Sequence, residues 1–304
     1  MSREIQNMAA SVHDRLLNRS RDTGEDFQFL LQRYAAERFL YRLGESKHRD
    51  RFVLKGAMLF ALWGGAIYRP TRDLDFAGFG SSETEDVLGC LRDICEAGAA
   101  DDGLVFDAST LAAAPIRVDE DYDGLRIRFR VELGSARITM QIDVGFGNAI
   151  EPPAEEVEYP TLLGGVAPRI RAYPHEAVVA EKLHAMVVLG DANSRLKDFY
   201  DLYVIASTLA LDGKRLARAI GATFERRRTT IEDPRPVALT PRFFADDARS
   251  AQWRAYLGKN RLPGAPADFD AVGELLGGFL GPPWGALAEN GSFRQSWPPG
   301  GPWR

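Results

Sequence analysis

The chain has 304 residues, 45% hydrophobic and 27% charged, the balance of an ordinary folded protein with room for one or two cores. Its net charge of −5 excludes the global basic field of a dedicated nucleic-acid binder. Cys90 and Cys95 fit neither zinc-ligand spacing nor a disulfide framework. With no long apolar run and no apolar leader, the sequence reads as cytoplasmic, with no membrane partner.

Ile5, Met8, Ala9, Val12 and Leu16 recur at helical spacing and predict a helix over residues 4–19, broken at Thr23-Gly24. Phe27, Leu30, Leu31, Tyr34 and Leu40 predict a second, ended by Gly44. Phe52-Val53-Leu54 reads as a short strand running into Lys55-Gly56. A helical segment from Ala57 to Trp63 then stops at Gly64-Gly65, and the next strand carries Asp73-Leu74-Asp75-Phe76. Side chains two apart on a strand share a face, so Asp73 and Asp75 stand together while Leu74 and Phe76 face the other way. Neighbouring carboxylates repel unless a cation lies between them. Hard divalent cations, Mg2+ or Mn2+, suit such oxygens, taking one or two carboxylates together with substrate phosphates.

Ser82-x-x-Glu85 reads as a capping box ahead of Val87, Leu88, Leu91 and Ile94, a helix closing near Gly98. Residues 101–124, rich in Asp and Gly, predict short strands and loops. Leu125 to Leu133 alternates strictly, Gly134-Ser135 turns, and Ile138 to Val144 alternates again: a β-hairpin with Thr139, Gln141 and Asp143 on its polar face. Pro152-Pro153 and Tyr159 to Pro168 read as a connector. Beyond it helices are predicted from His175 to Leu189, Arg195 to Thr208 behind Asn193-Ser194, Lys214 to Arg228, Pro241 to Leu257 behind Thr240, and Phe269 to Leu280. The tail from Gly281 to Arg304 reads as irregular, with Trp284, Trp297 and Trp303 as docking residues.

The constellation Phe-Val-Leu-Lys-Gly (Phe52 to Gly56) and Arg-Pro-Thr-Arg-Asp-Leu-Asp-Phe (Arg69 to Phe76) resembles the AbiEii/AbiGii-type toxin branch of the nucleotidyltransferase superfamily. Glu181-Lys182-Leu183, followed by Lys197-Asp198-x-Tyr200-Asp201-Leu202, resembles the later motifs of that branch. The resemblance implies an α/β (α+β) fold. A nucleotidyltransferase-like core with a small mixed β-sheet and N-terminal helices would fill residues 1–165. A helical C-terminal domain with a Pro/Gly/Trp tail would fill 166–304.

It also implies an enzyme: a Mg-dependent nucleotidyltransferase toxin of a toxin–antitoxin or abortive-infection system. Such a toxin transfers a nucleoside monophosphate from an NTP to an RNA acceptor, a tRNA 3′ end among the candidates, and is restrained by a cognate antitoxin protein. Asp73, Asp75 and Asp143 are the implied metal ligands, with Asp143 also the general base; the bland alternative makes Asp143 a strand-end acid bonded to the following turn. Lys182 is the implied triphosphate ligand, with Asp198 supporting it and Asp201 beside it. The bland alternative makes the two acids a solvated face, with Lys197 paired to Asp201.

Gly56 permits close approach of a phosphate to the backbone, and the helix after it offers free N–H groups. Ala57 and Met58 stand where the family carries a second Gly and a hydroxyl residue. Lys55 is a phosphate contact or a strand-end charge; Thr71 and Arg72 flank the acidic strand as further nucleotide contacts, with Arg72 pairing either with a phosphate or with a nearby carboxylate. Arg169, Arg171, Arg226, Arg227, Arg228, Arg235 and Arg242 are candidate contacts to an RNA backbone or solvated helix ends. Two other functions compete: a small-molecule, antibiotic-type nucleotidyltransferase, and a non-catalytic binding protein built on the same fold.

Overall fold

The computed structural model describes residues 7–64, 69, 71–98, 101–119, 122–147, 150–232, 235–262 and 264–304; Ile5, Gly65 and Pro70, singled out above, lie outside them. The chain divides into two compact units, one of Met1–Gly147 with Glu155–Ala172, the other of Asn148–Ala154 with Tyr173–Arg304. No helix among the described residues is long and apolar enough to cross a membrane.

The first unit opens with α1 (Met8–Thr23), capped by the Asn7 side chain and closed by Gly24 in the left-handed region at φ 73°. The next helix, α2 (Phe27–Glu45), starts on the Asp26 side chain and runs through Gly44. Gly44 is therefore no helix stop. A side chain there would overlap the Arg169 carbonyl, so its glycine serves the close approach of a neighbouring strand.

Seven strands follow among the described residues: β1 (Phe52–Lys55), β2 (Asp73–Gly78), β3 (Leu104–Asp119), β4 (Tyr122–Leu133), β5 (Ala136–Phe146), β6 (Glu155–Glu158) and β7 (Arg169–Ala172). They form one mixed sheet in the order β3-β4-β5-β2-β1-β7-β6. The β1–β2 pair is antiparallel, and β2–β5 and β1–β7 are parallel. Leu54, Leu74, Phe76, Ile127, Phe129, Ile142 and Val144 are buried. On the core side Phe39 of α2 lies 5.9 Å from the Phe129 ring.

Two local expectations fail in this unit. The stretch expected as short strands and loops holds the 16-residue β3, paired with β4 across a register shift between Asp107 and Ala112. An edge strand has one pairing partner and much exposed surface, so its sequence shows no continuous apolar run. The helix α4 (Thr84–Glu96) begins after Glu83, one residue too late for a Ser82–Glu85 box; the Ser81 hydroxyl instead accepts from the Glu83 N–H. Between β1 and β2 the chain makes a four-residue 3-10 turn, Gly56–Leu59, and the five-residue α3 (Phe60–Gly64).

The second unit contains α5 (His175–Leu189), α6 (Leu196–Thr208), β8 (Leu211–Asp212), α7 (Gly213–Arg226), α8 (Pro241–Phe244), α9 (Asp247–Asn260), α10 (Phe269–Ala288) and β9 (Ser296–Trp297). Phe199 stacks on Phe243 at 5.5 Å and meets Phe244 and Phe269 edge-on, around a fully buried Trp253. The helix expected from Pro241 to Leu257 is two helices. Asp246 takes an extended backbone between them and its carboxylate accepts from the Arg249 N–H, starting the second.

The irregular tail also starts later than expected, because α10 continues through Pro282 and Pro283 to Ala288. Burial of Phe279, Leu280, Pro283 and Trp284 outweighs the cost of proline in the helix interior. The indole N–H groups of Trp284, Trp297 and Trp303 donate to the carbonyls of Glu232, Ala206 and Phe279 at 3.0, 2.7 and 2.8 Å.

Candidate active site

In the first unit, alternation along β2 buries Leu74 and Phe76 and leaves Asp73 and Asp75 half-buried on the opposite face. Register extends that face sideways. Lys55 on β1 pairs with Asp75, Asp75 with Asp143 on β5, and Asp143 with Arg126 on β4. Directly opposed residues of neighbouring strands share a face about 5 Å apart. One row across four strands therefore reads cation, carboxylate, carboxylate, cation. The adjacent row reads Asp73, Gln141, Arg128, with Arg128 Nε donating to Gln141 Oε1 at 2.9 Å.

Asp143 is held most closely by Arg126. Its Oδ1 and Oδ2 accept from Arg126 Nε and Nη2 at 2.9 and 2.7 Å, a bidentate pair. The hydrogen bond to Asp143 is the main reason that the Arg126 pKa stands above its ordinary value; the charges of Asp143, Asp73 and Asp75 add to it. Sequence reasoning gave Arg126 no role. The signal was present in the hairpin: counting back from the Gly134-Ser135 turn along both strands brings Arg126 opposite Asp143.

Gly56 sits at φ 76°, and a Cβ there would overlap the Asp75 carboxylate. The close approach that its glycine permits is thus to Asp75. The helical segment expected after it is present as the 3-10 turn Gly56–Leu59 followed directly by the five-residue α3, so its first turn is 3-10 rather than α. Ala57 and Met58 are buried in the core and add no hydroxyl. Thr71 is half-buried, its hydroxyl 3.5 Å from the Asp73 carbonyl, and Arg72 is exposed.

The donor set on this face is all carboxylate oxygen, the chemistry that a hard divalent cation takes. Among the described residues, no three His, Cys, Asp or Glu side chains converge closely enough to hold a metal by themselves. Mg2+ asks for less, since one or two carboxylates complemented by substrate phosphates and water suffice. Asp73 and Asp75 fit that requirement, and Asp143 stands opposite Asp75, engaged by Arg126.

The second unit brings Lys182, Asp198 and Asp201 together. Lys182 Nζ donates to Asp198 Oδ1 at 2.8 Å and to Asp201 Oδ2 at 2.7 Å, while Arg195 Nε lies 2.7 Å from Asp198 Oδ2. Both carboxylates are 1% exposed, so α6 presents no solvated acidic face here, and the partner of Asp201 is Lys182 of α5. Burial acts to raise the Asp198 pKa, but Lys182 and Arg195 outweigh it and hold Asp198 below its ordinary range. Of the basic residues, Arg227 reaches His184 Nδ1 at 3.2 Å, Arg169 pairs with Glu158, and the Arg235 guanidinium lies against Gly281.

The family model described as nucleotidyl transferase AbiEii toxin, type IV TA system, matches residues 38–275. No curated protein matches the chain significantly. Among solved structures, a candidate nucleotidyltransferase from H. pylori is 15% identical with a TM-score of 0.50, covering 88% of this chain and 97% of its own. JHP933 from Helicobacter pylori is 14% identical with a TM-score of 0.47, covering 86% of this chain and 93% of its own. At such identity the first speaks to the fold alone.

Proposed function

Because the chain belongs to the AbiEii family of nucleotidyltransferase toxins of type IV toxin–antitoxin systems, we propose that it moves a nucleoside monophosphate from an NTP to an RNA hydroxyl, a tRNA 3′ end being the leading acceptor. Membership makes it a nucleotidyltransferase and implies an antitoxin partner; the acceptor, the metal and the residue roles are our reading. The observation that carries this reading is the row of Lys55, Asp75, Asp143 and Arg126 with Asp73 alongside.

In the reaction the acceptor oxygen bonds to the α-phosphorus, the α–β anhydride bond breaks and pyrophosphate leaves. Asp73 and Asp75 hold a Mg2+ or Mn2+ ion, which when bound neutralises charge on the transferring phosphoryl group. Asp143 accepts the proton of the attacking hydroxyl. Lys55 and Arg72 meet phosphate oxygens at the rim of the row, and Thr71 and Gly56 shape the backbone beside it.

Incubation of the purified chain with labelled NTPs, Mg2+ and total tRNA tests the reading. Label should enter RNA and fall by ~100-fold or more in Asp73→Asn. Folded wild-type protein that transfers no label from any NTP overturns it. The net charge of −5 favours a second reading, a small-molecule acceptor. Drug resistance on expression, without growth arrest, would select it.

A further inference from the structure

We propose that Arg126 is a positioning residue that keeps Asp143 out of the metal's ligand set until nucleotide phosphates draw its guanidinium away. The inference rests on the metal-dependent reading above and deepens it: metal and nucleotide would bind this chain interdependently.

Geometry carries the argument. Arg126 engages both oxygens of Asp143 through Nε and Nη2, so neither oxygen keeps its best lone pair for a cation. Asp75 and Asp143 are directly opposed across β2 and β5, an arrangement of like charges that is destabilising when unscreened. Arg126 closes the row on the side of Asp143, as Lys55 does on the side of Asp75, and supplies the cation beside Asp143 in the absence of a metal.

Arg126 is also equipped to change partners. Its side chain is 36% exposed, and its Nη1 has no partner among the described residues. A guanidinium with a spare N–H edge recognises phosphate oxygens in the same planar, bidentate manner as it does a carboxylate. An incoming triphosphate therefore offers Arg126 an equivalent anion, releasing Asp143 towards the ion and the attacking hydroxyl. Before that exchange, a bare divalent cation meets two carboxylates rather than three. The neighbouring arginine of the same face, Arg128, bonds the neutral Gln141 and holds no carboxylate of the cluster.

Equilibrium Mn2+ binding to the full chain tests this without relying on turnover. Wild type, Arg126→Gln, Arg126→Lys, Arg128→Gln and Asp73→Asn are compared, each with and without an α,β-methylene nucleoside triphosphate. Without nucleotide, Arg126→Gln should bind Mn2+ about tenfold more tightly than wild type, the worth of one hydrogen bond to a charged group. Arg126→Lys, which keeps the charge but cannot span both oxygens, should fall between them. Arg128→Gln should match wild type. The analogue should tighten Mn2+ binding several-fold in wild type and hardly at all in Arg126→Gln.

Equal or weaker Mn2+ binding by both Arg126 variants overturns the proposal. If Asp73→Asn still abolishes binding in that case, the metal site stands and only the role of Arg126 falls. If Asp73→Asn binds Mn2+ as wild type does, the metal reading itself is lost.

Discussion

The two acidic clusters of this chain solve the same electrostatic problem differently. On the sheet of the first unit, Asp73, Asp75 and Asp143 are half-buried, their two rows hold as many basic residues as carboxylates, and Arg126 grips Asp143 through a bidentate pair. In the second unit, Asp198 and Asp201 are almost completely buried and share Lys182 at hydrogen-bond distance. A half-exposed carboxylate is hydrated and can exchange one cationic partner for another. A buried one has no water to fall back on, so its partner must be part of the fold. Placement relative to solvent, more than residue type, separates an exchangeable site from a fixed one.

The sharpest break of that comparison is Lys182→Ala. It leaves two buried carboxylates without their shared ammonium, and breaking a buried pair from one side costs about 3–5 kcal/mol. Urea unfolding should show that loss. Lys182→Met combined with Asp198→Asn and Asp201→Asn should recover most of it, because no uncompensated charge then remains. A Lys182→Ala protein as stable as wild type would show that water reaches the triad. The triad would then belong with the exchangeable cluster.

Glu37 supplies an intermediate case, a buried acid of the first unit that pairs with Arg38 only beyond hydrogen-bond distance. One oxygen accepts from the Leu162 N–H at 2.7 Å, the other has no hydrogen-bond partner, and Arg38 stands 3.8 Å away. Desolvation raises its pKa from 4.5 to about 7, against the lowering effects of the Leu162 N–H and Arg38. The folded state therefore binds this proton more tightly than the unfolded chain does. The resulting stability is fully present below pH 4.5 and is lost as pH rises to about 7. Glu37→Gln, which keeps an acceptor for Leu162, should remove that slope. Across the window the difference between the two proteins should change by about 3 kcal/mol. Parallel stability curves for the two from pH 4.5 to 8 would show that Glu37 is ionised in the fold.

The sequence made the first cluster more legible than the second, and the reason is periodicity. Strict alternation along Asp73 to Phe76 and along the hairpin assigns faces unambiguously, so Asp73, Asp75 and Asp143 could be placed on polar faces from the sequence alone. What alternation does not give is strand order. The parallel pairing of β2 with β5, which sets Asp75 opposite Asp143, joins segments more than sixty residues apart and leaves no local trace. Arg126 was readable from the hairpin turn but looked like one of several alternating arginines. In the second unit, Asp198 and Asp201 at helical spacing read equally well as a solvated face, because their burial depends on helix packing. The proline-containing end of α10 was illegible because long-range burial overrode local composition, and the edge strand β3 because pairing with β4, rather than an apolar pattern of its own, makes it a strand.

The smallest expected effect is also the most discriminating. Asp73→Asn removes one carboxylate from a half-exposed cluster whose charges are screened by water, so its folding stability should stay within about 1 kcal/mol of wild type. The same substitution is expected to cost most of the nucleotidyl transfer. That separation is the mark of a group held for chemistry rather than for the fold, since Lys182→Ala should lower both together. Thermal unfolding of Asp73→Asn at two salt concentrations checks it. A loss near that of Lys182→Ala, insensitive to salt, would mean that Asp73 is locked into the sheet as tightly as Asp198 is into the helical unit, and that its row has no freedom to trade a side-chain cation for a metal.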